Sequence, residues 1–333
     1  MSLTWGTASH RTFVRMRSPS WSMPSTATRS NRPDPGPLQV LRLQLTAAVT
    51  LTLAVLWLVG CFGLLLPFAL IKLALPFEPI RRWTAGRMDR VVGLFSGGLG
   101  RLLHWMRVGG YRLEVDGALH QDRTYLLICN HQSWVDIVYL LILHHRRIPF
   151  PRFFLKRELL WFPIIGFACW AMDFPFMRRY SSRQRAANPA LAQRDLDTAR
   201  KACERYRNTP VTIINYVEGT RLSRARHQAQ QSPWQHLLRP RAGGIHYVMS
   251  AMGDQLAGVI DTTVVYPTPE GPGFWRFLTG AEQPVLIRMR LRPVPAGLAM
   301  EDPDSRQRAE AWINGLWDEK DADIAAMRRE LPP

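Results

Sequence analysis

From Leu43 to Ile71 the chain carries no charged residue, and roughly 20 apolar residues already cross a bilayer core as a helix. The pattern places this segment in a membrane. Gly60, Gly63 and Pro67 interrupt its second half, and both flanks are basic, with Arg29, Arg32 and Arg42 before it and Lys72, Arg81, Arg82 and Arg87 after it. A single crossing and a re-entrant helical hairpin with both ends cytoplasmic fit these flanks equally, because the distribution of arginine and lysine favours neither orientation. No small-residue cleavage site follows the run, so it does not read as a secretory signal.

The next stretch, Phe77 to Met106, mixes arginines with Trp83, Phe95, Leu99, Leu102 and Trp105. Such a mixture predicts an amphipathic helix, either lying in the membrane interface or, in its second half, packing on a core. From Tyr111 onward the period changes. "YRLEVDG" alternates and ends in Asp116-Gly117, a strand running into a turn. "TYLLIC" is a short continuous apolar run, the mark of a central strand covered on both faces.

Trp134 to His144 then reads as helix, "RFFLK" as strand and "DFPF" as a short strand or loop. Asn188-Pro189 predicts a capped helix start, with Leu191, Leu196, Ala199, Ala202, Cys203 and Tyr206 as its stripe. "VTIINYV" and "GVIDTTVVYP" are further buried strands, and "VLIRMRLRPV" puts Val285, Ile287, Met289 and Leu291 on one face. A last helix carries Trp312, Leu316, Ile324 and Met327. The predicted fold is therefore α/β, a mixed, largely parallel sheet flanked by helices and preceded by a hydrophobic membrane-anchoring helical segment. Residues 1–37, rich in Ser, Thr, Pro and Arg, form a disordered basic arm; 38–110 hold the membrane-anchoring and interfacial helices; 111–333 form the α/β domain.

Charge adds one constraint. Lys and Arg number 43 against 26 Asp and Glu, a net charge of +17. Polyanions are the partners such a surplus favours: nucleic acid, anionic lipid headgroups or phosphorylated small molecules. Genomic base composition accounts for an arginine excess equally well. Cys61, Cys129, Cys169 and Cys203 are too far apart for a zinc motif and read as reduced, buried thiols, so no metal is expected.

The candidate chemistry starts in "ICNHQSWVDIVYL", where His131 and Asp136 lie five residues apart. On an ideal helix that spacing points them about 140° apart. They meet only if a strand ends at Cys129, Asn130 to Gln132 turn, and Ser133 caps a helix with Asp136 in its first turn, an arrangement like a capping box. The carboxylate then holds one imidazole nitrogen and leaves the other as a base. The blander reading makes Ser133 and Asp136 caps and His131 a loop histidine.

A second cluster weighs against the blander reading. Glu218, Gly219, Thr220 and Arg221 directly follow the strand "VTIINYV" and so occupy a strand's carboxyl end, the ligand side of open α/β sheets. Glycine permits close backbone approach, and Thr220 and Arg221 offer a hydroxyl and a guanidinium suited to phosphate.

With both clusters in hand, the sequence closely resembles the glycerolipid acyltransferase family, typified by 1-acylglycerol-3-phosphate acyltransferases. The family's N-H-x-S-x-x-D block matches Asn130, His131, Ser133 and Asp136, and its E-G-T-R block matches Glu218 to Arg221. "FFLKRELLWFPIIGFACWAMDFPFMRR" resembles the second block, with Lys156 and Gly166 in place and Arg178 or Arg179 closing it; "TTVVYP" resembles the fourth. "FACWAMDFPFMRRYS" and "LRPRAGG" look most like a bacterial branch related to lysocardiolipin acyltransferases, although Pro175 stands where many members have an aliphatic residue.

The resemblance implies a membrane-associated O-acyltransferase moving an acyl group from acyl-CoA or acyl carrier protein to a lysophospholipid, most simply 1-acylglycerol-3-phosphate, with no further cofactor. His131, oriented by Asp136, would be the base. Lys156 and Arg221 would hold the acceptor phosphate and Glu218 and Thr220 would shape that pocket; Asn130, Ser133, Gly219, Arg178 and Arg179 belong to the same substrate-binding set. Backbone N–H groups near Gly166 or Ser133 would stabilise the oxyanion. The expected location is the inner (cytoplasmic) membrane, with the domain facing the cytoplasm; lysocardiolipin-like, phosphatidylglycerol-type and phosphatidylinositol-type lysolipids are alternative acceptors.

Two rivals are weaker. A hydrolase using Ser133 or Cys129 lacks a G-x-S-x-G elbow. A membrane-tethered nucleic-acid-binding protein has the charge but no recognition motif, so no specific nucleic-acid partner is expected. His144-His145-Arg146-Arg147 reads as a helix end whose cations complement the dipole, and the glycines at 97, 98 and 100 lack a phosphate-loop pattern.

Overall fold

The apolar run forms one unbroken helix, α1 (Pro37–Ala74), in a computed structural model that describes residues 36–75, 77–177, 204, 206, 209–268, 270–281, 284–298 and 304–331. A re-entrant turn inside the run is therefore not formed. Pro67 sits within the helix, and Gly60 and Gly63 are helical too, because such residues weaken a helix without obliging it to turn back. The chain reverses after α1 instead, and α2 (Glu78–Trp105) runs back along it.

Side-chain contacts explain the close fit of the pair. A Cβ at Gly98 would lie 2.3 Å from the Trp57 ring, so glycine there lets the indole lie on the α2 backbone. Trp57 Nε1 then donates to the Phe95 carbonyl at 3.1 Å. The buried stripe Thr84, Met88, Val92, Ser96, Leu99 and Leu103 gives α2 the inward face its sequence pattern predicts.

Six strands form the main sheet. β1 (Tyr111–Asp116), β2 (Thr124–Cys129), β3 (Pro151–Phe153), β6 (Thr212–Tyr216), β7 (Leu256–Val265) and β8 (Val285–Arg292) lie in the order β1-β8-β7-β2-β6-β3, and only β7 and β8 pair antiparallel. This is the mixed, largely parallel sheet expected. β2 is buried at every position, as a strand between two partners and two helical layers must be.

"RFFLK" does not stay one strand. It divides into β3 and the two-residue β4 (Leu155–Lys156), which pairs with β5 (Phe176–Met177) in a separate ribbon. The helix expected from Asn188 lies outside the described residues apart from Glu204 and Tyr206. Helices cover both faces of the sheet. Leu126, Ile128 and Ile213 face Val248 and Met249 of α6 (Gly243–Met252) and Leu316 and Trp317 of α8 (Ser305–Glu330). Leu127, Ile214 and Ile260 face Tyr139 and Leu143 of α3 (Val135–His144) and Leu103 of α2.

Among the described residues three further α-helices are short: α4 (Pro163–Ala171), α5 (Arg224–Gln230) and α7 (Phe274–Leu278). α1 is tied to the domain near both its ends, by Trp275 Nε1 donating to Gln44 Oε1 at 2.6 Å and by Lys72 pairing with Asp173. β2, β6 and β7 run parallel, so their carboxyl ends share one edge of the sheet. The chemistry-bearing residues gather at that edge.

Candidate active site

β2 ends at Cys129 and α3 begins at Val135, so His131 and Asp136 flank the strand-to-helix turn that the sequence requires. His131 Nδ1 lies 2.8 Å from Asp136 Oδ2. The same oxygen accepts from the N–H groups of Gln132 at 2.8 Å and Ser133 at 3.0 Å. Asp136 Oδ1 accepts from the Tyr266 hydroxyl. With its Nδ1–H given to the carboxylate, the imidazole presents Nε2 as an acceptor, the arrangement a general base needs.

The second cluster holds the histidine by its backbone. Glu218 Oε2 accepts from His131 N–H at 2.8 Å, and the Leu222 N–H donates to the His131 carbonyl at 2.7 Å. Glu218 Oε1 accepts from Leu238 N–H at 2.8 Å. Both polar backbone groups of His131 are thus clamped by the segment that follows β6. Tyr216, the last residue of β6, stacks on the imidazole with centroids 4.0 Å apart and planes at 21°, and Phe153 stacks behind Tyr216.

Glu218 is nearly fully buried, and burial foremost, with the nearby Asp136 charge, pushes its carboxyl up to about 8. A folded-state pKa raised above the unfolded value gives stability that is complete below the unfolded pKa, near 4.5, and is lost as pH rises through about 8. We expect the unfolding midpoint to fall across that window, and Glu218→Gln to flatten the fall. Denaturation curves at several pH values check this; equal slopes in both proteins would contradict it.

Several residues grouped with substrate by sequence turn inward. Asn130 Nδ2 donates to Val264 O and its Oδ1 accepts from Val264 N–H, both at 2.9 Å, so this side chain ties the end of β2 to β7. Ser133 Oγ donates to Pro272 O at 2.6 Å and accepts from Val135 N–H at 3.2 Å. A Cβ at Gly166 would come within 2.4 Å of the Leu159 carbonyl oxygen, so the glycine serves packing. Its N–H is bonded to Phe162 O, and those of His131, Gln132 and Ser133 to Glu218 and Asp136, so none of them is left for an oxyanion.

Arg221 remains outward-looking. Its guanidinium stacks over the half-exposed Trp134 indole at 4.9 Å and has no carboxylate partner among the described residues. Gly219, at φ +68°, makes the turn that brings Thr220 and Arg221 round to His131. Lys156 lies in β4 with its side chain outside the described part, and Arg178 and Arg179 lie outside the described residues.

Neither hydrolase nucleophile fits the geometry. Cys129 is fully buried, and burial holds its thiol well above the usual range, while the Ser133 hydroxyl is engaged away from the imidazole.

The model of the Acyltransferase family matches residues 112–268, a span that begins in β1 and contains the whole site. This span is similar to the glycerolipid acyltransferases. Among curated relatives of the family, the mouse (Mus musculus) 1-acyl-sn-glycerol-3-phosphate acyltransferase delta is 28% identical over 178 residues, covering 50% of this chain and 43% of its own. The 2-acyl-1-lysophosphatidylinositol acyltransferase of Saccharomyces cerevisiae is 23% identical over 245 residues, 61% of each chain. The chain therefore spans about half the length of the curated relatives it matches. The crystal structure of the 1-acyl-sn-glycerophosphate acyltransferase PlsC from Thermotoga maritima shares the fold, with a TM-score of 0.50 and 18% identity over 84% of this chain and 97% of that one.

Sequence reasoning missed Tyr266 and Tyr216 as members of this candidate site. Each ends or directly follows a strand at the sheet's ligand edge, and that position was the available signal.

Proposed function

We propose that this acyltransferase-family protein moves a fatty acyl group from an acyl thioester of coenzyme A or acyl carrier protein to the free hydroxyl of a lysophospholipid, with 1-acylglycerol-3-phosphate as the favoured acceptor. The observation that carries the reading is the His131–Asp136 pair, 2.8 Å apart and held at the ligand edge of the sheet. His131 Nε2 takes the acceptor's hydroxyl proton as the oxygen attacks the thioester carbonyl carbon. The carbon–sulfur bond breaks, and the imidazolium returns the proton to the departing thiolate. Arg221 holds the acceptor's phosphate, and Lys156 is a second cation for it.

A membrane-bound acceptor asks for a membrane-bound enzyme. α1 exposes Leu38, Leu41, Leu45, Leu56, Leu64 and Leu73, and Trp161 and Phe162 before α4 are exposed as well. At about 1.5 Å per residue α1 is roughly 57 Å long, nearly twice a hydrocarbon core of about 30 Å. α2, packed alongside, carries Arg81, Arg82, Arg87, Asp89 and Arg90, charges that are expensive to bury in hydrocarbon. We read the pair as resting in the interface of the inner membrane's cytoplasmic face, α1 immersed and α2 towards the domain. The basic flanks attract anionic lipid at about 1 kcal/mol per residue near the surface.

The yeast relative's name supports a second acceptor class, a lysophosphatidylinositol-type lipid. Nucleic-acid binding finds no support in the comparisons. Incubating the full chain with a panel of lysophospholipids and acyl thioesters and reading products by mass spectrometry decides among them. Phosphatidic acid as the main product supports the favoured acceptor; no acylated product from any pair contradicts the reading.

A further inference from the structure

A cavity of about 460 Å³ opens at the opposite edge of the sheet, between α2 and the segments that lead into β2, β3 and β6. α3 connects the two regions. Asp136 lies in its first turn and His144 in its last, which at about 1.5 Å per residue separates them by roughly 12 Å. This cavity is therefore distinct from the His131 cleft.

Two buried polar atoms of residues in its lining have no hydrogen-bond partner among the described residues: Ser96 Oγ and His144 Nε2. Both side chains are 1% exposed. A buried polar atom without a partner is costly and asks for an occupant. His144 Nδ1 is bonded to the Leu140 carbonyl, which can only accept, so the proton sits on Nδ1 and Nε2 is a bare acceptor. Burial lowers the His144 pKa to about 4, so the ring stays neutral near pH 7. A neutral acceptor nitrogen and a serine hydroxyl in the lining of one cavity match an alcohol.

The rim supplies positive charge. Arg90 and Arg146 line the cavity, are exposed, and have no carboxylate partner among the described residues. His145 lies against α2, where a Cβ at Gly97 would come within 2.8 Å of its ring, and burial first, then the charges of Arg146, Arg101 and Arg147, disfavour its protonation. Asp89, the acidic residue of the lining, already pairs with Arg152 at 3.3 Å. Arg90 and Arg146 at the mouth, with no carboxylate partner among the described residues, and alcohol-matching atoms inside specify a ligand that is anionic at one end and hydroxylated at the other.

We propose that this cavity binds a phosphorylated polyol of the glycerol phosphate type, its phosphate on Arg90 and Arg146 and a hydroxyl on His144 Nε2 and Ser96 Oγ. That chemistry occurs both in free polyol phosphates and in the headgroup of a lipid such as phosphatidylglycerol.

Titration calorimetry on the full-length Arg221→Gln chain in nonionic detergent tests this, because the substitution removes the phosphate-holding group beside His131. sn-Glycerol 3-phosphate is expected to bind, and inorganic phosphate to bind several-fold more weakly. Arg90→Gln with Arg146→Gly should weaken binding at least tenfold; Arg146 has φ +64°, where glycine relieves the backbone, so this variant should fold. Ser96→Ala should erase the advantage of glycerol phosphate over phosphate. Tighter binding of phosphatidylglycerol in mixed micelles, lost in the same double variant, assigns the site to a lipid headgroup; tighter binding of the soluble compound assigns it to a free metabolite. No binding, binding unchanged in the double variant, or equal affinity for phosphate and glycerol phosphate overturns the proposal. None of these readings depends on acyl transfer.

Discussion

Replacing Asp136 by alanine is expected to lower acyl transfer by about 10² to 10⁴, the range a positioned proton-transfer group contributes. The carboxylate does more than touch one nitrogen. It accepts from His131 Nδ1, from the N–H groups of Gln132 and Ser133, and from the Tyr266 hydroxyl. Alanine frees the imidazole to rotate and to change tautomer, and it leaves three other donors unpaired in a buried turn. Each unpaired donor costs about 1–3 kcal/mol, so this variant should lose stability as well as rate.

Asp136→Asn separates the two effects. The amide keeps the volume and one acceptor oxygen, so it should cost less stability, yet its NH₂ group cannot accept from a donor and disturbs the tautomer. Acyl-transfer assays beside unfolding curves distinguish the contributions. An asparagine variant within a few-fold of wild-type activity would contradict an orienting role for the carboxylate.

Lys320→Met is expected to cost about 3–5 kcal/mol of stability, the usual loss on removing one member of a buried ion pair. Lys320 Nζ is fully buried in α8, donates to Thr262 O and Thr263 Oγ1 at 2.9 Å each, and pairs with Asp261 of β7. Methionine leaves Asp261 buried, with Arg292 at 3.0 Å as its remaining partner. Adding Asp261→Asn should recover part of the loss, a coupling that a double-mutant cycle measures. Because Asp261 lies in β7 before Val264 and Tyr266, and Lys320 approaches it from α8, rate per folded molecule should change little. A loss below 1 kcal/mol in denaturant titration would contradict this account of the pair.

The parts of this structure legible in sequence are those where one element's own pattern suffices. The unbroken apolar run of β2, the alternation of β8 and the switch of period between Cys129 and Val135 each specify local geometry, and that last switch is what brings His131 to Asp136. Partnership across the fold is less legible, because periodicity tells which face is buried and not what lies opposite. Glu218 reads as a residue that shapes the phosphate pocket yet turns inward to clamp the His131 and Leu238 backbones. Gly243-Gly244 opens α6, where a Cβ at Gly244 would collide with the Asn215 side chain at 2.5 Å, an approach that nothing in the local pattern announces. "RFFLK" has the composition of one strand, and only the neighbouring β5 shows why it divides at Phe154.

The most direct test of the account is the acyl-transfer rate of the His131→Ala chain, measured on protein whose unfolding curve and membrane partitioning match the wild type. Loss of about a hundredfold or more is the predicted result. Turnover retained near the wild-type rate would mean that another group takes the acceptor's proton, and that the imidazole beside Asp136 is not the base.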